Sequence, residues 1–250
     1  MLLCNRILES NAPWIFFIVP LFESNKVNHE DLWQRQIDSF RTICDALPGL
    51  KISLEFKPTD ENTRWFTVPS TGSALLLCRD VNRDNFGLTL DVGHCLAAGE
   101  NPAQSASLVA REGKLFGVQL NDGYTRLGAE DGLCFASVHP HLALELILWL
   151  VKSNFSGHCY FDTFPRNEDP VQEATRNIAT TQRLWARAKE ILQTSDSSSE
   201  CAEGVPVPVG TDTEKERSST NSARKKSTIE LSKVWRHHDG LAALDLAEGK

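Results

Sequence analysis

The chain has no long apolar run, no cysteines at zinc or redox spacing, no surplus of basic charge and no glycine-rich phosphate loop. Its 7 cysteines (Cys4, Cys44, Cys78, Cys95, Cys134, Cys159, Cys201) are scattered, with no C-x-x-C pair. That excludes a disulfide framework or a zinc cage and implies reduced, mostly buried thiols in a cytoplasmic protein. The most apolar stretch, Pro13 to Phe22, is about half the ~20 residues that a membrane span requires. Asn5, Glu9 and Asn11 precede it and no small-residue cleavage site follows, so it reads as a buried strand rather than a secretory signal. A net charge of −7 argues against a general nucleic-acid binder, which would show a basic stripe. No G-x-G-x-x-G follows any apolar run, which disfavours a dinucleotide fold.

What is present is alternation. The 250 residues, 41% of them hydrophobic, suffice for one large domain with a tail. Trp14 to Val19 is aromatic and β-branched, as a buried strand requires. Helical spacing follows from Glu30 to Leu47, carried by Leu32, Ile37, Phe40, Ile43 and Cys44, and Pro48-Gly49 ends it. A strand around Glu55 and an irregular polar loop from Thr59 to Ser70 come next. Helices are then expected over Ser73 to Val81, Pro102 to Glu112, Pro140 to Ser153 and Pro170 to Leu192, with Pro102 and Pro170 at favoured starting positions. Five strands alternating with five helices imply an α/β protein with a parallel sheet and right-handed crossovers. A doubly wound sheet and a barrel both satisfy that order.

The composition changes near residue 193, so we divide the chain into a barrel-type region, 1–193, and a tail, 194–250. Thr194 to Thr228 is rich in Ser, Thr, Glu, Gly, Pro and Lys and reads as disordered. Arg224-Lys225-Lys226 reads as solvated charge, and Ile229 to Leu246 as a short amphipathic helix. His237-His238-Asp239 lacks the further ligands that a metal centre needs.

Four apolar runs end on a carboxylate or amide: Ile52 to Pro58 with Glu55, Leu88 to His94 with Asp91, Leu115 to Asp122 with Gln119, and His158 to Asp162. Because side chains alternate along a strand, Glu55 shares a face with Lys57, Asp91 with Thr89 and Gly93, Gln119 with Asn121, and Asp162 with Tyr160 and Phe164. Buried strand-end charges are costly unless paired or metal-bound. Side by side, such strands would bring Glu55, Asp91, Gln119 and Asp162 to one point. Oxygen-rich ligation of that kind suits Mg²⁺ or Mn²⁺, or Co²⁺, better than a structural zinc. Singly, each residue has a plainer use: Glu55 or Asp162 as a helix cap or ion-pair partner, His94 as a polar loop residue, Asn121-Asp122-Gly123 as a turn.

Together, Leu54-Glu55-Phe56-Lys57-Pro58, Leu90-Asp91-Val92-Gly93-His94 with Ala98-Gly99-Glu100-Asn101-Pro102, Val118-Gln119-Leu120-Asn121-Asp122 and Phe161-Asp162-Thr163-Phe164-Pro165 resemble the xylose isomerase-like TIM-barrel superfamily. The similarity runs from about Asn28 to Ala188 and is nearest to L-rhamnose isomerase-type sugar isomerases and the sugar phosphate isomerase/epimerases. The resemblance implies that Glu55, Asp91 and Asp162 ligate a first divalent ion, with Gln119 in the fourth place. It implies that His94 and an acid of the Glu130-Asp131 pair serve a second, and that Lys57 meets the substrate oxygens. The implied partner is a small-molecule sugar or sugar phosphate, and the implied reaction is aldose–ketose isomerisation by Lewis-acid catalysis. Epimerase relatives instead use two carboxylates as acid and base on one ion. The Glu-x-Lys-Pro motif and the acidic pair favour the isomerase. An endonuclease branch of the superfamily would need more His ligands and a basic surface.

The chain departs from the family pattern at Gln119, where the family has His, and at Glu130-Asp131-Gly132, where it has more acids. A complete barrel has eight strands, whereas five are expected here, as a partial barrel. An open sheet exposes edges and apolar surface that a homo-oligomer would cover. The alternative expectation is therefore a truncated, catalytically inactive homologue acting as an interaction or scaffold protein.

Overall fold

The computed structural model of the chain describes residues 14–17, 20–21, 28–59, 65–129 and 131–199. Glu130, the tail beyond 199 and the expectations for Arg224-Lys225-Lys226, Ile229 to Leu246 and His237-His238-Asp239 lie outside the described residues. The described elements are β1 (Trp14–Phe17), β2 (Pro20–Leu21), α1 (His29–Ala46), β3 (Lys51–Glu55), β4 (Trp65–Phe66), α2 (Thr71–Val81), β5 (Phe86–Asp91), α3 (Val92–Ala97), α4 (Pro102–Arg111), β6 (Leu115–Gln119), α5 (Pro140–Lys152), β7 (His158–Tyr160) and α6 (Pro170–Ser199).

β1, β3, β5, β6 and β7 form one five-stranded parallel sheet in that spatial order. Each strand lies beside the next in sequence, so the order never reverses. A doubly wound sheet needs a reversal; a barrel wall does not. The partial (β/α) barrel is therefore the architecture. No helix of the described residues is long and apolar enough to cross a membrane.

Local chemistry explains the helix starts. Asn28 accepts the Glu30 N–H at the head of α1, and Ser70 and Ser73 form a reciprocal capping box at the head of α2. Asn101 caps α4 ahead of Pro102.

One face of the sheet packs under the helices. Ile52, Leu54, Leu88, Leu90 and Val118 are fully buried there, in one cluster with Phe40, Leu77, Leu146, Ile147 and Leu150. The Phe40 and Phe86 ring centroids lie 4.6 Å apart, tying α1 to β5. Burying each such side chain is worth about 1.5–3 kcal/mol.

Three features differ from the sequence expectations. Part of the loop over Thr59 to Ser70 is strand, because β4 pairs antiparallel with β2. His94 is not in a loop but on α3, which begins directly after Asp91. α6 continues past Leu192 to Ser199, since Thr194 to Ser199 contains neither Pro nor Gly to stop it. The chain divides into two compact units, Met1–Ala188 and Lys189–Lys250. The sheet, core and site all belong to the first.

Candidate functional site

The other face of the sheet carries two polar rows. Ser53 and Thr89 share a buried hydrogen bond of 2.7 Å, and Gly117 faces Thr89 across the β5–β6 pair. One pleat further along stand Glu55, Asp91 and Gln119, each no more than 2% exposed. Register aligns Asp91 with Gln119 and Gln119 with Tyr160, and sets Glu55 beside Thr89, from where its side chain reaches Gln119 Nε2.

Asp91 ends its strand and caps the next helix. Its Oδ1 accepts the backbone N–H of His94 at 2.8 Å, and its Oδ2 accepts from Asn121 Nδ2, also at 2.8 Å. The cap starts α3 and turns the His94 ring back over the strand ends. There His94 Nδ1 lies 2.9 Å from the Phe56 carbonyl, 3.1 Å from Glu55 Oε1 and 3.8 Å from Asp91 Oδ1. On the other side of the ring, Nε2 lies 3.3 Å from Asp131 Oδ2, which is itself 3.3 Å from Lys57 Nζ.

The charges are strongly coupled. Burial pushes the Asp91 carboxyl up to about 7; His94 opposes that rise and Glu55 adds to it. Burial alone would lower the His94 pKa, but Asp91, Asp131 and Glu55 override it and raise it to about 10. Asp131 resists burial and is held below the usual carboxylate range by His94 and Lys57. Asp162 is raised, first by burial and then by Glu55. Tyr160 is raised by burial and by the same two carboxylates.

Gln119 is oriented from two sides. Its Nε2 donates to Glu55 Oε2 at 3.1 Å and to the Tyr160 hydroxyl at 2.5 Å. A carboxylate only accepts, so the amide nitrogen must face Glu55. The Gln119 Oε1 is then buried without a hydrogen-bond partner. An orphaned buried oxygen of this kind calls for a ligand. Among the described residues, Glu55, Asp91 and His94 offer ligand atoms that all lie within 4.8 Å of one another. Two carboxylates, an imidazole and an unsatisfied amide oxygen fit a divalent cation.

Of the residues singled out in the sequence, Glu55, Lys57, Asp91, His94, Gln119 and Asp131 come together. Asp162 stands outside the 4.8 Å group; its main-chain carbonyl accepts from Asn121 Nδ2 at 3.1 Å. Two contributors were not recognised in the sequence. Asn121 is buried and bridges Asp91, Asp162 and the Gly93 N–H, which it accepts at 2.7 Å. Tyr160 holds the Gln119 amide. Both share a face with residues that were picked out, and that was the available signal. Gly93 is required by space, because a Cβ there would stand 2.8 Å from Asp131 Cβ.

A family model described as the xylose isomerase-like TIM barrel matches residues 9–188. The chain belongs to that family. Similar solved structures include a D-tagatose 3-epimerase-like protein (18% identity, TM-score 0.60), covering 75% of this chain and 67% of that one. An IOLI protein with a binding zinc atom (24% identity, TM-score 0.56) covers 70% and 63%. A xylose isomerase domain protein from Alicyclobacillus acidocaldarius subsp. acidocaldarius (20% identity, TM-score 0.56) covers 75% and 68%. At these identities the likeness is one of fold, and the chain spans about two thirds of the length of each. No curated protein matches the sequence.

Proposed function

We propose that this member of the xylose isomerase-like family is a divalent-metal-dependent sugar isomerase, acting on a small sugar or sugar phosphate in the cytoplasm. The observation that carries the reading is the buried meeting of Glu55, Asp91 and His94, with the Gln119 amide bonded to Glu55 and its own oxygen unpartnered. Glu55, Asp91, Gln119 and His94 would hold Mn²⁺, Mg²⁺ or Co²⁺, with Asp162 closing the set on the β7 side. The oxygen-rich donors favour these over a structural zinc. When bound, the ion polarises sugar oxygens and stabilises the charge that develops on them.

The chain's own residues do the rest. Lys57, paired with Asp131 at 3.3 Å, donates to a substrate oxygen. Asp131, held ionised by Lys57 and His94, accepts a hydroxyl proton, a task that Glu130 would share. Without the ion, His94 holds its proton between Glu55 on one side of the ring and Asp131 on the other; as a ligand it would give that proton up. This arrangement serves aldose–ketose isomerisation; an epimerase would instead set Glu55 against Asp162 as opposed base and acid.

The test is thermal unfolding and calorimetric titration with Mn²⁺, Mg²⁺ and Co²⁺, alongside isomerase assays on rhamnose, xylose and related sugars. Ion-dependent stabilisation with turnover supports the reading; the absence of both overturns it. One observation favours a second reading, an inactive homologue used for interaction. His94 lies 3.1 Å from Glu55, 3.8 Å from Asp91 and 3.3 Å from Asp131, so a protonated His94 would itself serve as the cation among them. That reading expects no ion binding and no turnover.

A further inference from the structure

The segment between β6 and α5 carries Asp131 to the site, and a single buried carboxylate fastens its two ends. Asp122 is 2% exposed. Its Oδ1 accepts the Gly123 N–H at 2.9 Å and lies 2.8 Å from His139 Nδ1. Its Oδ2 accepts the N–H groups of Val138 at 2.9 Å and His139 at 2.8 Å, at the threshold of α5. The main chain of Asp122 also exchanges hydrogen bonds with Leu133, at 2.9 and 3.0 Å. Residue 122 therefore grips the far end of the loop with its side chain and the middle with its backbone, two positions after Asp131.

A loop of this length left unfastened samples many conformations, whereas a working side chain must be held within about 0.5 Å. Other features of the loop suit the same delivery. Gly132 takes φ +71° directly after Asp131, and its carbonyl accepts the Phe164 N–H at 2.8 Å. Four donors on one carboxylate saturate its acceptor sites. An amide in its place would set N–H against N–H.

We propose that Asp122, with His139 as its partner, is a positioning residue that holds Asp131 against His94 and Lys57. Its consequence for turnover rests on the isomerase reading, but its geometry does not. The test uses the full chain without added ion and follows the His94 imidazole ¹⁵N signals by NMR, assigned by their loss in His94→Gln. Asp131→Asn should move the Nε2 signal, because it neutralises the partner 3.3 Å away. Asp122→Asn should move the signal the same way by a smaller amount, since the main-chain bonds to Leu133 remain, and the double variant should match Asp131→Asn alone. His139→Ala, which removes one of the four bonds, should give a smaller shift in that direction. Asp45→Asn, which breaks the exposed Asp45–Arg83 pair, should leave the signal in place. A folded Asp122→Asn with an unmoved His94 signal, or shifts that simply add, overturns the proposal. Should Asp122→Asn not fold, an unmoved signal in His139→Ala overturns it. Absence of ion binding or turnover would defeat the isomerase reading while leaving this measurement intact.

Discussion

The two faces of the same three strands are buried alike and built oppositely. Ile52, Leu54, Leu88, Leu90 and Val118 on the helix side are 0% exposed, and Ser53, Glu55, Thr89, Asp91 and Gln119 on the other side are no more than 2% exposed. The first face is solved by packing alone. The second must satisfy every donor and acceptor, and at Gln119 Oε1 it does not. A protein selected only to fold could exchange buried charges for well-packed apolar residues at no loss. The polar face therefore reads as kept for a ligand, and the apolar face as kept for stability.

That comparison can be broken by experiment. Leu88→Ala should cost about 2–5 kcal/mol in urea unfolding and leave ion affinity nearly unchanged; a large loss of affinity would show that the faces are not separable. Glu55→Gln should do the reverse, weakening Mn²⁺ binding about 100-fold or more while shifting the unfolding midpoint little. Calorimetry with both variants reads the contrast directly.

Protons sharpen it next. With Asp91 near 7 and His94 near 10 before the ion binds, most sites at neutral pH carry a proton that ligation by His94 must expel. Raised pKa values mean more competition from protons at low pH, so affinity should climb as pH rises from 6.5 to 8.5. The slope expected is about tenfold per unit above pH 7, for the His94 proton, and steeper below it, where Asp91 also gives one up. A flat profile would remove His94 from the ligand set. Gln119→His should tighten Co²⁺ or Zn²⁺ relative to Mg²⁺ by about tenfold, since imidazole suits those metals better than an amide oxygen; competition titration measures this. The smallest effect belongs to the lower polar row: Ser53→Ala should cost about 1 kcal/mol through the lost hydrogen bond to Thr89, with ion affinity unmoved.

The faces were legible in the sequence because strand alternation is rigid. Once a strand ran through Leu54 and Phe56, Glu55 had to point the other way. Lateral order was not legible, since a barrel wall and a doubly wound sheet share the same succession of elements. Nor was α3, because the signal that starts it is the Asp91 carboxylate, which reads equally as a ligand. Asn121 and Asp122 form a turn signal with Gly123, and that local reading hid two long-range roles. One is the bridge from Asp91 to Asp162; the other is the grip on Val138 and His139. The pairing of β4 with β2 depends on residues more than 40 apart, beyond the reach of any local pattern.

Asp91 holds two offices at once, as helix cap and as candidate ligand. Mutational drift would feel only the stricter of them. A descendant that abandoned chemistry would still need this carboxylate to begin α3, so its retention says little about activity. Glu55 and Lys57 cap no helix; Glu55 meets Gln119 and His94, and Lys57 meets Asp131, all within the site. Across relatives of this chain, their loss or persistence is the more sensitive record of whether catalysis survives.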